Sequence, residues 1–456
     1  MKLCVEMKTN KLLNSNLPIE SPEAAEIRHK ISVLASKYWE LVHRKAKFSR
    51  EDPKVPVSGK VFGPEEIQNL VDSALDFWLT TGRFNNAFEE SLASIIGVKH
   101  ILTTNSGSSA NLLAVSSLCS PIFKGRAMSP GDEVITCAAG FPTTVNPIII
   151  NNLVPVFVDV EIPSYNIDAS QLDLALSHKT RGIVIAHTMG NPFNLDLVMD
   201  FANKHALWVV EDCCDGLGSK YKGKHIGTFG NVGTYSFYPA HQITMGEGGA
   251  VFTNDGKLRR AVESIRDWGR DCYCPPGYDN TCGKRFGWKL GNLPKGYDHK
   301  YTYSHLGYNL KLTDMQAAVG LAQLDKLDSF VAARAKNFLA LKNTFSDLED
   351  FFILPEANQE SEPSWFGFLI TVRDGAPFTR DQFVRKLNKM HIATRFLFGG
   401  NLLKQPYMGN RTFRTVGNLE NTNKIMRDTL WIGLFPGIGL PEINYISEVV
   451  HKFCKR

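Results

Sequence analysis

Between residues 61 and 325, short apolar runs rich in β-branched residues alternate with helical stretches. The runs at 134–138, 154–160, 182–186 and 207–210 are almost continuously apolar, and 170–177 and 195–205 between them have helical character. A strand that is apolar at consecutive positions is covered on both faces, as in a parallel sheet crossed over by helices. The pattern predicts an α/β fold with a central, mostly parallel sheet. Ligands in such sheets sit at the carboxyl ends of the strands. The residues at those ends are therefore the first candidates for chemistry.

The flanks read differently. Residues 1–55 are polar and helical, with Ile27, Ile31, Leu34, Tyr38 and Leu41 at helical spacing, and are expected to pack on the main body. Pro53, Pro56 and Gly59 end that pattern. After residue 326 come a long helix at 332–348, a strand at 366–372, a helix at 380–390 and a last helix at 440–453. The expected organisation is a helical segment (1–55), a large domain (56–325) and a smaller α+β domain (326–456).

Composition removes several functions. The net charge of +5 is modest, and no basic cluster is interleaved with aromatics, which argues against nucleic acid as partner. No run of about 18 apolar residues is present to span a membrane. The first residues lack a signal-peptide core, so a cytoplasmic protein is expected. Nine cysteines in a chain this long argue against a disulfide framework and for metal or redox use of some of them.

Residues 235–249 read as a strand, a polar turn and a glycine-rich reversal into a second strand at 250–253. They resemble the cofactor-lysine segment of the sugar aminotransferases of the DegT/DnrJ/EryC type. Those are vitamin B6 enzymes with the aspartate-aminotransferase-like (type I) PLP-dependent fold. Their pattern is Ser-Phe, three residues, Lys, then Gly-Glu-Gly-Gly. Here Ser236 and Phe237 are followed by His241 in the lysine position, and Gly246 to Gly249 complete the match. The nearest lysines are Lys224 and Lys257. A lysine amine bonds covalently to the cofactor aldehyde and shuttles protons. An imidazole forms no such stable bond, but it serves as a general base near neutral pH. The exchange implies that His241 is a catalytic base and that the cofactor is pyridoxamine 5'-phosphate, held non-covalently.

The resemblance assigns further residues. The Ser/Gly turn at 103–110 precedes an apolar helix expected to start near Asn111, and by itself reads as either an N-cap or an anion cup. The likeness makes Gly107, Ser108 and Ser109 the phosphate cup, with Ser236 as a further ligand. Asp212, at the end of a buried strand, corresponds to the aspartate that pairs with the pyridine nitrogen. Phe141 matches the aromatic that stacks on the ring. Asn309, in a Gly-Tyr-Asn motif, matches an asparagine that reaches the phosphate of a neighbouring subunit, which implies a homodimer. Asp215 and Tyr238 stand where the aminotransferases often carry Gln or His, and His, respectively. They suggest a pocket altered for a different reaction.

Cys272, Tyr273 and Cys274 are followed by Cys282, across a loop holding Pro275, Pro276 and Gly277. A four-thiolate site needs one more ligand. Cys214 lies next to Asp212, and its neighbour Cys213 is equally placed by spacing. Iron–sulfur clusters and zinc are both held this way, and spacing does not choose between them. Residues 237–249, 266–274 and 297–308 resemble one branch of the family, the CDP-4-keto-6-deoxyglucose 3-dehydrases of 3,6-dideoxyhexose biosynthesis. That branch carries pyridoxamine phosphate and a 2Fe–2S cluster, and its cysteine pattern matches Cys214, Cys272, Cys274 and Cys282. The likeness implies removal of the C3 hydroxyl from a nucleotide-linked 4-keto-6-deoxyhexose, most simply a CDP-sugar. Electrons are expected from an NADH-dependent iron–sulfur flavoprotein. A plain B6 dehydratase shares the histidine but would not need these cysteines. The alternatives are a dTDP-sugar 3-dehydrase with the same cofactors, a sugar aminotransferase, and a non-catalytic sugar-nucleotide binding protein.

Overall fold

The computed structural model describes residues 20–43 and 48–455. Residues 1–19 and 44–47, part of the expected amino-terminal segment, lie outside the described residues. Helix α1 (Pro22–Val42) begins at Ser21, whose hydroxyl accepts from the Ala24 amide, with Pro22 in the first turn. It meets α2 (Pro64–Asp76) through a polar seam: Arg28 pairs with Glu20 and Asp72 at 2.5 Å and Asp76 at 3.2 Å. The expected apolar stripe does not make this contact, because Ile27, Leu34, Tyr38 and Leu41 are exposed.

Helix α3 (Arg83–Ile96) leads into β1 (His100–Thr104), α4 (Gly107–Leu118), β2 (Glu133–Cys137), α5 (Pro142–Ile150) and β3 (Val154–Val158). The expected helix at 170–177 is reduced to a single turn, α6 (Leu172–Ala175), entered through a 3-10 turn capped by Asp168. Strand β4 (Thr180–Ala186), helix α7 (Leu195–Lys204) and strand β5 (Trp208–Asp212) follow. After two short strands, β6 (Lys220–Tyr221) and β7 (Lys224–His225), come β8 (Val232–Ser236), β9 (Gly249–Thr253) and α8 (Gly256–Arg266).

These strands build an eight-stranded sheet in the order β1-β9-β8-β5-β4-β2-β3-β14, where β14 (Arg414–Thr415) arrives from far downstream. The pairs from β14 to β8 are parallel, and only β9 runs against its neighbours. Every position of β5 and β8 is buried, as their sequences require of strands covered on both faces. Each fully buried Val there contributes roughly 1.5–3 kcal/mol.

Helices α9 (Asp314–Leu324) and α10 (Leu327–Phe345) lead into a second layer. A four-stranded antiparallel sheet has the order β10-β12-β15-β13, from β10 (Phe352–Ile353), β12 (Phe368–Val372), β13 (Thr394–Arg395) and β15 (Thr429–Ile432). Its core gathers Phe345, Phe352, Phe368 and Phe383. A separate apolar cluster, including Ala139, Met189, Phe366, Leu397 and Trp431, joins this layer to the carboxyl edge of the large sheet. The cleft between them is where the candidate residues meet.

Candidate active site

Asp212 ends β5 as the last residue of a buried strand. Its Oδ2 accepts from Asn111 Nδ2 at 2.8 Å and from Thr144 Oγ1 at 2.7 Å, and its Oδ1 accepts from the Cys214 amide at 3.1 Å. Thr234 Oγ1 in turn donates to Asn111 Oδ1 at 2.6 Å. Three elements, α4, α5 and β8, thus orient one carboxylate. Sequence reasoning missed Asn111 and Thr144, though both lie within or beside motifs it used.

Helix α4 starts at Gly107, earlier than expected, because Ser106 caps it by accepting from the Ser109 amide at 3.1 Å. The Ser/Gly turn is therefore the first helical turn, whose free amides face an incoming anion. Gly107 is sterically required. A Cβ there would lie 2.4 Å from Ser236 Cβ and 3.0 Å from Cys214 Sγ. The cup is closed by backbone pressed against β8.

The loop after β8 carries His241. Its amide donates to the Tyr238 carbonyl at 2.9 Å, and Met245 and Phe237 close the turn at 2.9 Å. The imidazole lies 5.2 Å from the Phe366 ring, and its Nδ1 has no hydrogen-bond partner. Asp215 Oδ1 stands 3.7 Å from that nitrogen. Burial, and then the positive charge of Arg334, push His241 down to about 3. Burial, and then Asp212, push Asp215 up to about 8. Both charged forms are penalised, so near neutral pH an uncharged imidazole faces an uncharged carboxyl. That is the protonation state a general base needs.

Arg334, from α10, is fully buried behind this loop. It donates to the carbonyls of Trp365 at 2.9 Å, Phe366 at 3.1 Å and His241 at 3.2 Å. No carboxylate lies within 4.0 Å of it among the described residues. It ties the base-bearing loop to the second layer. Nothing in the local sequence signals this role, since helix and loop lie far apart in the chain.

Gly107, Ser108, Phe141, Asp212, Cys214, Asp215, Ser236, Tyr238 and His241 line one cavity of about 720 Å³. Among the described residues its lining contains no lysine. Phe141 is half exposed, with its ring edge-on to Phe398 at 5.6 Å. Ser109 stands behind the cup, held by Ser106, rather than on the cavity wall. Asn309 does not reach this cavity. It accepts from Lys311 Nζ at 2.9 Å and pairs with Asp267, just past the end of α8.

The neighbouring group His187, Glu211 and Cys213 places three possible ligand atoms within 4.8 Å of one another. It is already satisfied. Glu211 accepts from His187 at 3.0 Å and from the amides of Gly227, Phe229 and Gly230. Cys213 is fully buried in the large-sheet core, whereas Cys214 faces the cavity, which separates the adjacent pair.

Cys272, Cys274 and Cys282 share a small cleft with Asn280 and His299. Backbone amides face the sulfurs: Cys274 to Cys272 at 3.5 Å, Thr281 to Cys274 at 3.4 Å and Lys284 to Cys282 at 3.4 Å. His299 and the Lys284 amide hold the Cys282 thiol below its usual range. Burial raises Cys272. The structure thus brings three of the four expected ligands together and leaves Cys214 in the other cavity.

A mostly parallel sheet bearing an anion cup and a carboxylate on its carboxyl edge is the PLP-dependent aminotransferase-like fold. The chain belongs to the DegT/DnrJ/EryC1/StrS aminotransferase family, whose model matches residues 62–451. It is 56% identical to the lipopolysaccharide biosynthesis protein RfbH of Salmonella typhimurium over 94% of this chain and 98% of that one. It is 48% identical to dTDP-4-dehydro-2,6-dideoxy-D-glucose 3-dehydratase of Saccharopolyspora spinosa, over 88% and 86%. Among solved structures, a GDP-4-keto-6-deoxymannose-3-dehydratase mutant with bound GDP-perosamine superposes with a TM-score of 0.79 at 27% identity, covering 87% of this chain and all of that one. The Escherichia coli enzyme with bound hydrated PLP gives 0.78 at 27%, over 87% and 99%. No helix among the described residues is long and apolar enough to cross a membrane.

Proposed function

We propose that the protein is a pyridoxamine phosphate-dependent 3-dehydrase of a nucleotide-linked 4-keto-6-deoxyhexose. One observation carries the reading: His241 holds the lysine position, on the wall of a cavity that no lysine lines among the described residues. The 3-dehydratase relatives supply the reaction class.

The residues present fit the cofactor. The first turn of α4 and Ser236 would hold its phosphate, Asp212 its ring nitrogen, and Phe141 one ring face. Bound pyridoxamine phosphate supplies an amine for the sugar's C4 ketone and an electron sink for departure of the C3 hydroxyl. His241, on the cavity wall, takes the proton on its imidazole, whose Nδ1 is buried beside Asp215. Arg334 fixes the loop that carries the imidazole, and Phe366 packs against it. Asn309 is proposed to act in the cavity of a second copy, which makes the working unit a homodimer.

The finer reading is a reductive reaction. In it Cys214, Cys272, Cys274 and Cys282 hold a 2Fe–2S cluster, an NADH-dependent flavoprotein supplies electrons, and CDP is the carrier nucleotide. Its support is the thiol loop with sulfurs facing backbone amides. Cys214 stands in the other cavity, so the four-thiolate set is not assembled here and no step is assigned to it. That separation favours a second reading, a plain dehydratase like the GDP-4-keto-6-deoxy-D-mannose 3-dehydratase of Yersinia pseudotuberculosis, 32% identical to this chain.

Incubation with pyridoxamine phosphate and CDP-4-keto-6-deoxyglucose in oxygen-18-labelled water, with mass spectrometry of the sugar, tests cleavage of the C3–oxygen bond, read as loss of the oxygen or its exchange with solvent. Wild type should release the C3 oxygen, and His241→Asn should lose roughly 10²–10⁴-fold in rate. Retention of the oxygen by wild type across CDP-, dTDP- and GDP-linked substrates refutes the proposal. Iron with matching sulfide in anaerobically purified protein selects the reductive reading, and its absence selects the plain dehydratase.

A further inference from the structure

The cavity has more wall than the cofactor residues occupy. Its volume of about 720 Å³ is in the upper part of the range of small-molecule sites, roughly 300–1,000 Å³. Its charge is uneven. Asp212, Asp215 and Glu247 contribute carboxyls, and among the described residues Arg395 is the one arginine or lysine in the lining.

Arg395 ends β13 and pairs with Trp431 of β15, so it enters from the four-stranded sheet, whereas the Ser/Gly cup follows β1 of the large sheet. Its side chain is exposed. It donates only to the adjacent Thr394 carbonyl, at 2.8 Å, and no carboxylate lies within 4.0 Å of it among the described residues. An arginine left without an acid partner at the mouth of an acid-lined cavity is available to an anion, and its planar fork suits phosphate oxygens. Next to it, Phe396 is 48% exposed and also lines the cavity, with the Arg380 guanidinium 3.9 Å from its ring centre. A cation beside an exposed aromatic is the pairing that nucleotides use, charge for the phosphates and a ring for the base.

We propose that Arg395 receives the diphosphate of the nucleotide-linked sugar, at a subsite separate from the cofactor's phosphate cup. The inference rests on the nucleotide-sugar reading above. The two anions are then divided between two walls: neutral amides and hydroxyls for one, a fixed cation for the other. Among the described residues the lining holds no second arginine or lysine, which makes this one cation decisive for a doubly charged ester.

The test is calorimetric titration of the pyridoxamine phosphate-loaded protein with CDP, dTDP, GDP and the matching nucleosides. Wild type should bind at least one diphosphate more tightly than its nucleoside. Arg395→Met should lose roughly 10- to 100-fold of that diphosphate affinity. Nucleoside affinity, cofactor affinity and melting temperature should stay unchanged, and Arg395→Lys should recover part of the loss. Arg395 is exposed, makes no ion pair and donates only to the carbonyl of its chain neighbour Thr394, so its replacement should leave folding intact. Undiminished diphosphate binding by Arg395→Met overturns the assignment while leaving the nucleotide reading intact. Parallel loss of the cofactor overturns it in favour of a role at the cofactor phosphate. Failure of wild type to bind any of the three diphosphates overturns both.

Discussion

A histidine stands here where the family pattern has a lysine, and the chemistry follows from what each side chain does when buried. A lysine needs a bond or a counter-charge to remain in such a slot. An imidazole enters it neutral and keeps a free ring nitrogen. Asp215 completes the pair, and its behaviour can be tested apart from turnover. Its carboxyl is pushed up to about 8 in the folded protein, against an ordinary value near 3.9 when unfolded. Between those values the folded state binds the additional proton, so stability falls as pH rises. His241 has the opposite slope, but only below its unfolded value of about 6.5. From pH 6.5 to 8 wild type should therefore lose up to about 1.4 kcal/mol per pH unit from Asp215. Asp215→Asn should not, and urea melts of both at the two pH values measure the difference. Equal slopes would place the Asp215 charge in solvent.

At the level of elements, the site is a set of strand ends and one helix start. The apolar strands were legible because parallel strands covered on both faces have a distinctive composition. Asp212 and His241 were legible because each sits in a compact local motif. The ties that orient them were not: Asn111 and Thr144 lie 101 and 68 residues from Asp212 in the chain, and Arg334 lies 93 from His241. No periodicity reports contacts of that kind. The start of α4 was placed too late because its first turn is made of Ser and Gly, which read as loop until Ser106 is seen to cap it. Gly107→Ala tests the element directly. The added methyl would meet Ser236, at a cost of about 1–3 kcal/mol. Weaker pyridoxamine phosphate binding with a lowered melting temperature is expected. Unchanged affinity would show that β8 and α4 separate easily and that the cup is not set by their contact.

Across the whole molecule, the cleft exists because two sheets face each other through a shared apolar cluster. The large sheet presents the cup, Asp212 and His241, and the smaller one presents Arg395. Strand β14 crosses back from the later part of the chain to join the large sheet, which a two-residue strand gives no means of foreseeing. The exposed stripe on α1 was misjudged for a related reason: helical spacing reports a face, not what covers it. The cysteine loop was legible as a cluster of thiols, while its distance from Cys214 depends on how a long excursion folds.

The central claim is that the cofactor is held as an amine with no covalent bond to the chain. The measurement is the visible absorption spectrum of purified protein loaded with pyridoxamine phosphate or pyridoxal phosphate, before and after dialysis. The account predicts that the cofactor band of either form is lost on dialysis and that no stoichiometric pyridoxyl group remains on a lysine after borohydride reduction. A band that survives dialysis, with one reduced adduct per chain on a lysine, would contradict it and return the protein to aminotransferase chemistry.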